Sequence, residues 1–223
     1  MPVIRAVFFD VGECLVDETA EWGRWADWLG VPRHTFSAVF GAMIARGRHF
    51  RETFQVLRPG FDLEEARAPR AAAGRPHHIG ESDLYPDARP CLVALRALGL
   101  RVGIAANQPA RTEQLLEALQ LPVDIIATSA GWGVAKPAPE FFTRVAEVAA
   151  LPPAAILYVG DRLDNDILPA HRAGMATAFI PRGPWGHLLR DPAIEELALF
   201  RLTTLTELPD LVARHNAGYP GQG

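Results

Sequence analysis

The chain has 223 residues, 49% hydrophobic and 22% charged, as in a globular protein of one ordinary domain or a core domain with a modest insert, and unlike a disordered chain. Its 22 basic and 26 acidic side chains leave a net charge of −4, which argues against nucleic acid or an anionic membrane as partner, since either favours a basic surplus. Cys14 and Cys91 form no disulfide framework, Met1 to Phe9 lacks a signal-peptide pattern, and no stretch approaches the ~20 apolar residues that span a bilayer, so a reducing cytoplasm is the expected location.

Residues 3–9 (VIRAVFF) read as a buried strand, stopped by Asp10-Val11-Gly12. From 17 to 84 the period becomes helical. Trp22, Trp25 and Trp28 share one helix face, and Phe36, Val39, Phe40 and Met43 repeat the spacing. Phe50, Phe54 and Leu57 suggest a third helix and 63–73 a fourth, in an all-helical insert that Pro69 and Gly74-Arg75-Pro76 should break up near its end. After residue 86, helices and strands alternate. Helices are expected at 88–98, 110–119, 139–150, 165–173 and 205–215, and strands at 101–106, 123–127, 155–159 and 176–180. Such alternation means a parallel sheet covered on both faces.

In open α/β sheets, ligands bind beyond the carboxyl ends of the strands. Strand one ends in Asp10, the 101–106 strand in Asn107-Gln108, and the 155–159 strand in Gly160-Asp161, with Asp164, Asn165 and Asp166 just after. Lys136 stands immediately before a helix. It is the one lysine among 22 basic residues, in an arginine bias that suggests a GC-rich, bacterial genome. A single strand-end Asp is ordinarily a turn or cap residue, and a lone Lys before Pro is ordinarily exposed. Their order in one α/β frame is what joins them. Asp10, Asp161 and Asp166 could meet at one end of the sheet, where three carboxylates repel one another unless a cation is present. Oxygen-only ligands suit Mg²⁺, and a lysine ammonium can neutralise a carboxylate or a phosphate oxygen.

These residues resemble the motifs of the haloacid dehalogenase-like (HAD) hydrolase superfamily. Residues 7–15 (VFFDVGECL) are similar to its first motif, Ile104 to Asn107 stands where the second is expected, Lys136-Pro137 resembles the third, and residues 160–166 (GDRLDND) match the fourth, GDxxxxD. The resemblance implies a Rossmann-like, doubly wound parallel α/β core (1–16 and 86–223) with an inserted all-helical cap (17–85). It implies a phosphatase of a small phosphorylated, anionic metabolite, with Asp10 as nucleophile forming an aspartyl-phosphate, and Lys136 orienting it. Mg²⁺ would be held by Asp10, the Gly12 carbonyl and Asp161, with Asp166 in support.

Two departures qualify that implication. The family's phosphatases carry an acid/base Asp where this chain has Gly12, and its loss should slow hydrolysis, because general acid/base help is worth about 10²–10⁴-fold. Glu13 is the candidate surrogate, and Asp17 or Glu18 could also approach. The phosphate-binding Ser or Thr is replaced by Ala106, for which Asn107 and Gln108 could substitute through backbone N–H groups or the Asn107 side chain. Cys14 reads as a small buried filler. Arg46, Arg48, His49 and Arg51 form a basic cluster that either binds an anionic substrate or is a solvated helix end, since Arg suits carboxylates and phosphates. Trp185 could border the site, and His77-His78 has no spacing for a metal. Two alternatives remain open at this point: a 2-haloacid dehalogenase-like hydrolase, and a degenerate member that binds a phosphorylated ligand without turnover.

Overall fold

The computed structural model describes residues 2–218. Among them the apolar runs form six strands, β1 (Ala6–Phe9), β2 (Arg101–Ala106), β3 (Ile125–Thr128), β4 (Ile156–Gly160), β5 (Ala176–Phe179) and β6 (Phe200–Arg201). Every neighbouring pair is parallel, in the order β3-β2-β1-β4-β5-β6. Strand order reverses at β1, so the crevice of this doubly wound, Rossmann-like sheet opens at the carboxyl end of β1. Side chains alternate between two covered faces. Val7, Phe9, Ile104 and Val159 pack in one layer with Leu92, Leu95 and Leu208, while Ala6, Phe8 and Tyr158 pack in the other with Phe141, Phe142 and Val145.

Between β1 and β2 the chain forms α1 (Thr19–Leu29), α2 (Arg33–Ala45), α3 (Glu52–Leu57) and α4 (Leu63–Ala72). Their shared core is aromatic: Trp25, Phe36, Phe40 and Phe54 are buried, with Trp22 and Trp28 packed on them. Pro69 does not break α4. It lacks an N–H, but its carbonyl still accepts from Ala73 N at 3.0 Å, and the helix runs on to Ala72. The outgoing and returning connections lie side by side beyond β1, where Asp17 N donates to Asp83 O (2.8 Å) and Tyr85 N to Leu15 O (2.9 Å).

The remaining helices are α5 (Ala88–Ala97), α6 (Arg111–Ala118), α7 (Ser129–Trp132), α8 (Pro139–Ala149), α9 (Leu168–Arg172), α10 (Pro184–Leu188), α11 (Pro192–Glu195) and α12 (Leu208–Ala217). Periodicity missed α7, α10, α11 and β6, which have five residues or fewer and complete too little of a period to register. The helix expected from 165 begins instead as a π-helical turn, Leu163–Ile167. Strand β1 starts three residues late because the Asn216 side chain takes both the N–H and the carbonyl of Ile4, each at 2.8 Å.

Candidate active site

Asp10 directly follows β1, and its N–H donates to Val159 O (2.9 Å), which holds it beside the end of β4. Asp161 directly follows β4. Asp166 is aimed back at the sheet by the π-helical turn. A β-carbon on Gly160 would stand 2.4 Å from Asp166 Cγ, so only glycine lets that carboxylate in. One oxygen from each of Asp10, Asp161 and Asp166 can lie within 4.8 Å of the others, and all three residues are buried. The Lys136 ammonium, with no exposed side-chain surface, bonds Asp166 Oδ1 (2.6 Å) and lies 2.8 Å from Asp10 Oδ1. It also lies 5.4 Å from the Tyr158 ring centre.

The electrostatics follow from burial. It pushes the Asp161 carboxyl well above the usual carboxylate range, and the neighbouring Asp166 and Asp10 charges add to the push. Burial also lifts Asp166, to about 6, although Lys136 draws it down. Burial alone would lower Lys136, but Asp10 and Asp166 outweigh it and hold the ammonium well above its ordinary range. Three carboxylates face one ammonium, and Asp161 Oδ2 is buried with no hydrogen-bond partner. That imbalance, with only oxygen donors, fits a divalent cation.

The loop after Asp10 turns sharply at Glu13, which has φ 53°. Glu13 is held in the loop: its Oε2 accepts from Tyr85 Oη at 2.6 Å, and its side chain packs onto Gly183. The atoms nearest to where a side chain at position 12 would begin belong to Glu18, not to Glu13. Burial raises the Glu13 carboxyl. Asp17 accepts from Thr19 N (2.8 Å) at the start of α1. Glu18 is the carboxylate beside Gly12. Its Oε2 accepts from Trp22 Nε1 (3.1 Å) and its Oε1 from Gln108 Nε2 (3.4 Å). Burial first, then the Glu13 and Asp10 charges, push it up to about 8. Cys14 is fully buried with its thiol toward Val159 O (3.8 Å), as a packing residue.

The phosphate-side candidates fare differently. Ala106 is fully buried and offers no side-chain donor. The Asn107 amide is committed to Lys136, donating to its carbonyl and accepting from its N–H, both at 2.8 Å. The Gln108 N–H donates to Ala106 O (3.0 Å). The Asn107 side chain is therefore a clamp on the lysine, a role that follows from how the loop after β2 meets the loop before α8 and is invisible in local sequence. Arg48 pairs with Glu52 and Arg51 with Glu64, and Arg46, Arg48 and Arg51 are all exposed. Trp185 packs on Phe40 and Phe50 (ring centres 5.4 and 5.9 Å) and carries the Arg162 guanidinium 4.9 Å above its ring.

The haloacid dehalogenase-like hydrolase family model matches residues 4–174. The chain belongs to this family. As a HAD hydrolase it is 37% identical, over 45% of its own length and 45% of the relative's, to a glyceraldehyde 3-phosphate phosphatase of Methanopyrus kandleri. To the protein of the same name in Pyrococcus furiosus it is 28% identical over 96% of this chain and 95% of that one. A magnesium-bound HAD hydrolase of Bacillus subtilis superposes with a TM-score of 0.70 at 20% identity, covering 95% of this chain and 99% of the other, and so shares the fold. The chain thus spans about half of the first of these relatives and nearly all of the second.

Proposed function

We propose that this HAD hydrolase is a Mg²⁺-dependent phosphatase of a small phosphorylated metabolite, acting through an aspartyl-phosphate on Asp10. The observation that carries the reading is the buried Lys136 ammonium bridging Asp10 and Asp166 beside the partnerless Asp161 Oδ2. Asp10 is the nucleophile: an oxygen of its carboxylate attacks phosphorus, the bond to the leaving oxygen breaks, and water later releases phosphate from Asp10. Lys136 holds Asp10 in place and offsets charge on the transferring group. Asp10, Asp161 and the Gly12 carbonyl, with Asp166 behind them, would hold Mg²⁺, which when bound supplies charge neutralisation at the phosphoryl oxygens. Residues 17–85 act as the cap over a core of 1–16 and 86–223. Both cysteines are buried and unpaired, which suits a reducing cytoplasm.

Names of the archaeal relatives make a three-carbon aldehyde phosphate the first substrate to assay. The test is phosphate release over sugar phosphates, nucleotides, phosphoglycolate and an activated aryl phosphate, with and without Mg²⁺. Wild type should turn over at least one ester, and Asp10→Asn should abolish turnover of all. Failure to cleave any ester above that control would overturn the reading.

A further inference from the structure

Cleaving an alkyl phosphate needs a proton for the departing oxygen, and hydrolysing the acyl phosphate that remains needs a base for the attacking water. Neither Asp10, consumed as nucleophile, nor Lys136, fixed between two carboxylates, supplies both. Glu13 is bound by Tyr85 and Asp17 by the start of α1. Glu18 is different. A β-carbon on Gly12 would stand 2.8 Å from Glu18 Oε1 and 2.9 Å from its Cδ. The Glu18 carboxyl thus fills the volume that a side chain two residues after the nucleophile would occupy. Glycine at 12 is what admits it. The Trp22 indole, a donor only, takes Oε2, while Oε1, the oxygen nearer the loop that carries Asp10, accepts the longer 3.4 Å bond of Gln108 Nε2.

On the phosphatase reading above, we propose that Glu18 is the catalytic acid and base of this enzyme, delivered from the start of α1 in place of a carboxylate at position 12. In the first half-reaction the Asp10–phosphorus bond forms, the phosphorus–leaving-oxygen bond breaks, and the leaving oxygen takes the proton of the Glu18 carboxyl. In the second, the Glu18 carboxylate takes a proton from water, the water oxygen bonds phosphorus, and the Asp10–phosphorus bond breaks. Phosphate leaves and Glu18 is protonated again. Because Glu18 stands where the helical insert begins, the proton donor is tied to the insert, not to the nucleophile loop.

Glu18→Gln keeps the size and tests the charge. Turnover of an alkyl phosphate should fall about 10²–10⁴-fold. An activated aryl phosphate, whose leaving group needs no proton, should instead give a burst of aryl alcohol equal to the enzyme present, followed by slow turnover, as the phosphorylated Asp10 waits for water. A packing role for Glu18 would produce no such burst. The double variant Gly12→Asp/Glu18→Ala puts a carboxylate back at position 12 in the space vacated, and should recover at least tenfold over Glu18→Ala alone. Folding of each variant is checked by circular dichroism. Alkyl-phosphate turnover by Glu18→Gln within twofold of wild type would overturn the proposal, as would equal losses on both esters without a burst. Wild-type inactivity would overturn the phosphatase reading itself, a result distinguishable from either.

Discussion

The Lys136 ammonium lies between Asp10 and Asp166, and its own contacts with them are not all that keeps it there. The loop that carries it is fastened by the two 2.8 Å bonds of Asn107 to its backbone. Asn107 itself is exposed, so truncating it leaves no cavity in the core. Asn107→Ala should therefore retain the fold but let the ammonium drift. Misplacement by about an ångström can cost a hundredfold in rate, so kcat should fall roughly 10- to 100-fold. Steady-state kinetics alongside a thermal melt checks this; unchanged kcat would mean that the loop holds itself. Asp10, Asp161, Asp166 and Lys136 were legible in the sequence because each stands at a strand end or just before or within a helical turn, where local pattern places it. The Asn107 clamp was not, and Glu18 stood only as one candidate beside Glu13 and Asp17, because each depends on which way a side chain turns once distant segments have packed.

The same division runs through the elements. Strands β1, β2 and β4 were readable because burial on both faces makes each a continuous apolar run, and the long helices because burial on one face leaves a period, whereas α7, α10, α11 and β6 are too short to leave either signal. Nor does a period reveal which buried charge pairs with which. Arg70 of α4 is 2% exposed and grips Glu21 of α1 with both guanidinium ends, at 2.7 and 3.2 Å. The guanidinium lies 4.2 Å from the Trp25 ring centre, and His77 Nδ1 stands 3.4 Å from the same carboxylate. Burial alone would raise Glu21, but His77 and Arg70 outweigh it and lower it from 4.5 to about 2. A carboxyl depressed on folding stabilises fully above its unfolded value and loses that contribution as pH falls through the folded one. Glu21→Gln should thus be less stable than wild type by about 3 kcal/mol near pH 7. The gap should narrow steadily below about pH 4.5. Urea unfolding followed by tryptophan fluorescence at pH 7, 5 and 3 reads this directly. A gap independent of pH would show that Glu21 matters through packing alone.

At the scale of the molecule, the helical insert and the sheet meet around the acidic cluster through few polar contacts. Gln108 reaches Glu18 at 3.4 Å and Thr112 reaches His77 at 3.4 Å, and Trp185 of α10 packs on Phe40 of α2. The alternation of strands and helices in the sequence implies both layers of the core but nothing about this seam. The cluster beneath it is where folding and metal binding should be linked. Without a cation, three buried carboxylates share one ammonium, and Asp161 is the one that Lys136 does not bond. Replacing Asp161 with Asn relieves repulsion while keeping size. Metal-free Asp161→Asn should therefore melt at or above the temperature of metal-free wild type. Adding Mg²⁺ should reverse the order, because a ligand bound only by the folded state stabilises it by about 2.7 kcal/mol at a hundredfold excess over Kd. For a chain of this length that is a rise in Tm of roughly 5–11 °C, expected for wild type and absent from Asp161→Asn. Melts at constant ionic strength, with Na⁺ replacing Mg²⁺ in the control, separate specific binding from screening. If both proteins rise together, or neither does, Asp161 is not a metal ligand and its buried charge must be balanced in another way.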